Sequence, residues 1–170
     1  MHSGAYRELR FRILRLILQT APVDRNVNAV SLCCGTGSEV ITLSRTLRKD
    51  STITGVDIDA NALCIARERA RVLAGSASVS FIQADAQTYP LADVDFACCA
   101  LGLRYLEDPV AAVNLWLDTL NPGGVLMLVD WKSDILDLVL RSVKGFAKNR
   151  SRIEIDNVVG VDIVEIRKPK

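Results

Sequence analysis

A chain of 170 residues, 49% of them hydrophobic, has enough material for one well-packed domain spanning 1–170 and too little for two of ordinary size. With 21 Lys and Arg against 20 Asp and Glu the formal net charge is +1, which excludes the global basic field that nucleic-acid partners usually require. The sequence contains no run of about 18 uncharged apolar residues, so no transmembrane helix is expected, and residues 1–19 lack an uninterrupted signal-peptide core.

Five cysteines stand at 33, 34, 64, 98 and 99, an odd count with no C-x-x-C or Cys/His spacing. That pattern argues against a disulfide framework or a metal site and for a reducing, cytoplasmic setting. The single histidine, His2, falls in a terminus prone to fray, which leaves histidine-dependent catalysis without a candidate.

From residue 4 to 19, Tyr6, Leu9, Ile13, Leu16 and Ile17 recur at helical spacing with Arg7, Arg10, Arg12 and Arg15 between them. This predicts an amphipathic N-terminal helix within 1–20, packed on the body through its apolar stripe. Its arginines read as a solvated face, or as a cover over a pocket or a peripheral contact to an anionic membrane surface. After Ala21-Pro22 a strand runs to Cys34, followed by a helix over about 38–48. Residues 52–57 form a second β-rich run, and Asp59 is placed to cap a helix from 60 to about 72. A third strand covers 79–84, and 85–93 reads as loop.

Residues 94–101 form a fourth apolar strand, 109–120 a helix, 121–124 (Asn-Pro-Gly-Gly) a turn and 125–130 a fifth strand. Alternating strands and helices predict an α/β fold with a mostly parallel sheet covered on both faces. The tail breaks the rhythm. A helix over about 134–148 precedes β-rich runs at 152–158 and 161–167, which flank 157–160 with no room for a crossover helix and must pair antiparallel. Arg141, Lys144, Lys148, Arg150 and Arg152 read as a solvated helix end, or, beside the arginines of the first helix, as a surface attracting an anion.

The pivotal stretch is 30–40, Val-Ser-Leu-Cys-Cys-Gly-Thr-Gly-Ser-Glu-Val, where an apolar run stops at Gly35-Thr36-Gly37 and a helical pattern begins. Such a turn leaves backbone N–H groups facing a ligand, and glycine lets that ligand lie against the backbone. Asp57 follows Gly37 by 20 residues, where a carboxylate can accept both hydroxyls of a ribose, while Asp59 is better placed for the helix cap. Three residues after Gly37 stands Val40, not the small residue of a dinucleotide site, which disfavours nicotinamide binding. Asp85, just past the third strand, can accept a hydrogen bond from an exocyclic adenine amine or serve a turn.

Leu-Cys-Cys-Gly-Thr-Gly (32–37), Thr-Gly-Val-Asp-Ile-Asp (54–59), Gln-Ala-Asp-Ala-Gln (83–87), Val-Asp-Phe (94–96) and Leu-Asn-Pro-Gly-Gly (120–124) occur in the order found in class I S-adenosylmethionine-dependent methyltransferases, which the chain resembles over 28–131. The resemblance implies a three-layer Rossmann-like fold with a seven-stranded sheet ending in an antiparallel hairpin, S-adenosylmethionine bound by the 28–131 core, and a 132–170 helix and hairpin. Residues 101–108, Leu-Gly-Leu-Arg-Tyr-Leu-Glu-Asp, look like the corresponding stretch of ubiquinone/menaquinone C-methyltransferases. It places Cys33, Cys34, Gly35, Thr36, Gly37, Asp57, Ile58, Asp85, Ala86 and Ala100 at cofactor-contacting positions, with no metal.

Three departures stand out: Ser31 where the family usually has an acid, Cys33 where it has glycine or alanine, and a short region after the fifth strand. The first two imply weaker cofactor binding or an altered pose. The third leaves room for an open site, a smaller substrate than a polyprenyl quinone, or a partner or second subunit (a homodimer) that completes the pocket.

Methyl transfer from a sulfonium needs an aligned nucleophile and a dry site, and proximity alone contributes on the order of 7 to 11 kcal/mol. Arg104 and Tyr105 are the candidates for orienting the acceptor, Arg104 by stabilising a phenolate or enolate; their structural alternatives are a helix-flanking ion pair and a packing aromatic. The Asn/Asp-Pro-Pro-Tyr motif of amino methyltransferases is missing after the fourth strand. The expected activity is methyl transfer to carbon or oxygen of a small organic acceptor, quinone-like or phenolic. The alternative is a cofactor-binding protein without turnover. The pairs Cys33-Cys34 and Cys98-Cys99 read as small apolar residues that approach each other on neighbouring strands.

Overall fold

The computed structural model describes residues 3–131, 134–155 and 159–170, so His2 lies outside the described residues. In chain order the elements are α1 (Ser3–Thr20), β1 (Asn28–Leu32), α2 (Ser38–Ser44), β2 (Thr52–Asp57), α3 (Ala60–Leu73), β3 (Ser78–Gln83), β4 (Phe96–Ala100), α4 (Pro109–Thr119), β5 (Val125–Trp131), α5 (Asp134–Ser142), β6 (Ala147–Ile155) and β7 (Val159–Arg167). Short 3-10 turns occupy Ala86–Thr88 and Leu103–Tyr105.

The apolar strands are buried on both sides, which is why they lack hydrophobic alternation. They form one seven-stranded sheet in the order β3-β2-β1-β4-β5-β7-β6. Strands β1 to β5 run parallel, and β7 is antiparallel to both β5 and β6. The fold is the three-layer α/β arrangement read from the sequence. Leu9, Ile13 and Ile17 of α1 pack with Val40 and Leu43 of α2 and Leu63 of α3 on the face that carries Phe96, Cys98 and Met127. Val113, Trp116, Leu136 and Val139 of α4 and α5 cover the other face, over Leu32, Ala97, Cys99 and Leu128. Tyr6, expected on the buried stripe of α1, is instead exposed, and Phe11 is exposed beside it.

Local chemistry sets the element ends. Asp59 caps α3, its carboxylate accepting from the N–H groups of Asn61 (2.8 Å) and Ala62 (3.3 Å). Helix α2 stops at Ser44, short of residue 48, because the Ser44 carbonyl accepts from Ala77 N–H and its hydroxyl from Gly75 N–H, tying the helix end to the approach of β3.

The tail corrects two expectations. Helix α5 ends at Ser142, Gly145 turns the chain at φ 79, and β6 begins at Ala147, five residues before the expected 152. Lys148, Arg150 and Arg152 therefore alternate along an edge strand; Lys148 still meets the end of α5, its Nζ donating to the Leu140 and Val143 carbonyls, whereas Arg150 and Arg152 turn to a carboxylate. Asp162 on β7 explains the alternation: its carboxylate accepts from Arg152 Nε (2.6 Å) and from Arg150 Nη2 (2.7 Å), and Arg150 also pairs with Asp137 of α5. These arginines hold the Asp162 carboxyl below its ordinary range. Pairing with α5 places them on the sheet face opposite α1, so they form no joint cationic surface with the helix arginines. Of the expected 157–160 turn, 157 and 158 lie outside the described residues, while Val159 and Gly160 belong to β7. No helix among the described residues is long and apolar enough to cross a membrane.

Candidate active site

Strand order reverses between β1 and β4, and ligands of open α/β sheets bind beyond the carboxyl ends of the strands at such a point. A cleft of about 610 Å³ opens there, its walls including Gly35, Asp57, Ile58, Asp85, Ala86 and Tyr105. A narrower recess of about 190 Å³ shares Cys33, Gly35, Leu101 and Tyr105 with it and reaches Cys34, Thr36 and Ala100.

The turn after β1 holds Cys33 at φ 53 and Gly35 at φ 50. A β-carbon on Gly35 would meet no atom within 4 Å, so this glycine is a bare stretch of wall against which a ligand can lie. Asp57 fixes the turn: its Oδ2 accepts from Gly35 N–H at 2.7 Å and its Oδ1 from Asp59 N–H at 3.0 Å. From the third strand, Asp85 Oδ1 accepts from Gln87 N–H at 2.8 Å, and Trp116 Nε1 donates to the Ala86 carbonyl at 2.9 Å, pinning the adjacent wall.

Six of the ten expected cofactor residues thus line the cleft: Cys33, Gly35, Asp57, Ile58, Asp85 and Ala86. Cys34, Thr36 and Ala100 line the recess. Gly37 lines neither. It sits at φ 78, where a β-carbon would lie 3.0 Å from Ala66 Cβ and from the Phe81 ring, so its glycine answers to packing between α2, α3 and β3. Arg69 of α3, unnoticed in the sequence, donates to the Thr36 carbonyl (2.6 Å) and hydroxyl (2.8 Å); nothing distinguishes it there from the other charges on an exposed helix.

The two acceptor candidates separate. Tyr105 stands at the mouth of both cavities, 80% exposed. Arg104 lines neither. Its guanidinium donates to Asp130 Oδ1 from Nη2 (2.5 Å) and Nε (3.2 Å) and lies 5.7 Å from the centre of the Trp131 ring. Asp130 is fully buried, Oδ2 has no hydrogen-bond partner among the described residues, and burial raises its carboxyl pKa in spite of Arg104.

Of the four paired cysteines, Cys33 and Cys99 meet. Cys99 lies against Cys33, and that contact together with burial raises its thiol well above the ordinary value. A β-carbon at position 102 would fall 2.6 Å from Cys33 Cβ and 2.9 Å from Cys99 Sγ, so Gly102 is required by the cysteine at 33. Cys98 faces the other way, its thiol pushed up to about 12 by burial and in contact with Ser31. Ser31 is itself 1% exposed and opens to neither cavity. Among the described residues no three His, Cys, Asp or Glu side chains are arranged to hold a metal ion.

A family model described as a methyltransferase domain matches residues 29–124. The ubiquinone/menaquinone biosynthesis C-methyltransferase UbiE of Proteus mirabilis (strain HI4320) is 30% identical over 125 residues, 72% of this chain and 50% of that protein. The demethylmenaquinone methyltransferase of Staphylococcus aureus (strain MRSA252) is 28% identical over 116 residues, covering 67% of this chain and 47% of that protein. The chain therefore spans about half the length of the curated relatives it matches. The crystal structure of the N-methyltransferase NodS from Bradyrhizobium japonicum WM9 superposes with a TM-score of 0.76 over 99% of both chains at 19% identity, which establishes a shared fold. The family match covers more than half the chain and encloses Gly35, Asp57, Asp85 and Ala100 together: the chain belongs to the methyltransferase domain family, with the class I architecture.

Proposed function

We propose that the chain transfers a methyl group from S-adenosylmethionine to carbon or oxygen of a small organic acceptor, quinone-like or phenolic. One observation carries the reading: two carboxylates, Asp57 and Asp85, flank the bare Gly35 wall of a single cleft at the strand-order switch. These residues fit the nucleoside part of the cofactor. Asp57 uses two of its roughly four acceptor sites on Gly35 and Asp59, which leaves capacity for ribose hydroxyls. Asp85 binds Gln87 through Oδ1 and can accept an adenine amine at Oδ2, while Ile58, 68% exposed, offers an apolar surface to the base.

The bound cofactor supplies an electrophilic methyl group on sulfur, and the protein's task is to align a nucleophile with it and keep water out. Tyr105, at the mouth of both cavities, orients the acceptor. Arg104 is a positioning residue, fixing the Leu103–Tyr105 turn through Asp130. The quinone-like assignment is supported by the relatives, a ubiquinone/menaquinone biosynthesis C-methyltransferase and a demethylmenaquinone methyltransferase. A second subunit or partner would close the site on the side where Tyr105 is exposed.

A second reading, cofactor binding without turnover, is favoured by the Cys33 side chain, which lines both cavities where the family carries glycine or alanine. Incubation with methyl-labelled S-adenosylmethionine and a panel of phenols, catechols and short-chain quinols separates the two. Label in one of these acceptors is the expected result. Saturable cofactor binding with no transfer to any of them favours the second reading, and neither binding nor transfer overturns both.

A further inference from the structure

The narrow recess holds an ion pair that the proposed reaction leaves without a task. Glu39, in the first turn of α2, is 8% exposed, and Arg10 of α1 donates from Nη2 to its Oε1 at 3.3 Å. Both side chains line the recess, together with Tyr6, Cys34 and Thr36. Burial raises the Glu39 carboxyl above its ordinary value, while Arg10 and Arg69 pull it down.

A charge-assisted N–H···O bond is usually about 2.7 to 2.9 Å, so the contact is loose. Arg10, with its side chain 36% exposed, has spent one of about five N–H donors on it. Burying a carboxylate with so incomplete a partner is expensive, and a structural pin between two helices would be expected to close up. The recess instead keeps one negative and one positive group open to a shared space that joins the main cleft at Gly35. Its other polar wall is spoken for, since Arg69 holds Thr36.

Resting on the reading of the main cleft as a nucleoside site, we propose that Glu39 and Arg10 clamp a zwitterionic α-amino-acid group, the Glu39 carboxylate accepting the α-ammonium and the Arg10 guanidinium the α-carboxylate of the cofactor's amino-acid end. The clamp supplies from two helices the charge that the end of β1 lacks. It also makes α1 part of the site, although Arg10 precedes the 29–124 stretch matched by the family. Ligand occupancy and docking of the N-terminal helix are then coupled through one arginine.

The test compares two ligands that differ in the amino-acid end alone: S-adenosylhomocysteine, which carries it, and 5′-methylthioadenosine, which does not. Each is titrated by calorimetry into the wild type, Glu39→Gln and Arg10→Met. The expected result is at least a ten-fold loss of S-adenosylhomocysteine affinity in both variants, with methylthioadenosine affinity within about two-fold of wild type, a loss of roughly 1.4 kcal/mol or more confined to one ligand. Equal losses for both ligands, or no loss for either, would overturn the clamp, the first outcome making the pair a structural pin. If Arg10→Met unseats α1, Glu39→Gln, which keeps size and shape, decides alone. A wild type that binds neither ligand overturns the nucleoside reading and the clamp with it.

Discussion

Asp57→Ala lowers the affinity for S-adenosylmethionine by at least ten-fold in a protein that still folds. The carboxylate accepts from Gly35 N–H at 2.7 Å and from Asp59 N–H at 3.0 Å while facing the cleft, so its removal acts twice. The ribose loses hydrogen bonds to a charged acceptor, each worth about 1.5 to 3 kcal/mol, and the turn loses the group that orients Gly35. Asp57→Asn, which retains one carbonyl acceptor, falls between the two. Calorimetric titration of the folded variants measures the effect, and an unchanged dissociation constant in Asp57→Ala would refute the ribose role.

Arg104→Ala destabilises the fold by about 3 kcal/mol near neutral pH, the lower end of the cost of breaking a buried pair, because the Arg104 side chain is itself 34% exposed. The loss comes from Asp130, which remains fully buried with Oδ2 still unpartnered among the described residues and Oδ1 stripped of its charged donor, keeping the Trp131 N–H at 2.7 Å. The pH dependence follows from the sign of its shift. The folded-state pKa of Asp130 is raised, so the fold disfavours its ionised form, and its contribution to stability falls as pH rises from the ordinary carboxylate value through the folded value. Without Arg104 that value rises further. Denaturant unfolding at about pH 5 and about pH 8 should therefore show the smaller deficit in acid, and Asp130→Asn in the Arg104→Ala background should recover most of it. Equal deficits at both pH values would place the effect elsewhere, in the packing of the Leu103–Tyr105 turn.

Strand β2 and the start of α3 could be read residue by residue because their signals are local: a β-rich run closed by Asp57 and a capping aspartate two residues later. The boundary between α5 and β6 could not. Lys148, Arg150 and Arg152 suit an exposed helix as well as an edge strand, and what decides between them is Asp162, ten residues beyond Arg152 and visible as a partner only once β6 and β7 are paired. The site divides the same way. Gly35, Asp57 and Asp85 announce themselves by their places at strand ends. The Arg10–Glu39 pair spans 29 residues across two helices, and Arg69 reaches Thr36 over 33, so neither leaves a periodic trace. Gly37 shows the converse. Its position in the motif suggested ligand contact, yet Phe81 and Ala66 leave no space for a side chain.

The same long-range logic reinterprets the departures at 31 and 33. Ser31 is sealed within the sheet layer and sits against Cys98, and the missing charge reappears in the recess as Glu39. Cys33 crowds the turn but is accommodated by Gly102 and Cys99.

Titration of isotope-labelled protein with S-adenosylhomocysteine, followed by the backbone amide resonances, tests the location of the cofactor site most directly. The amides of Gly35, Asp57, Asp85 and Ala86 should shift together and saturate at one equivalent of ligand. Saturable shifts confined to another part of the surface, or none at all, would contradict a nucleoside site at the end of β1 and the methyl transfer proposed to occur there.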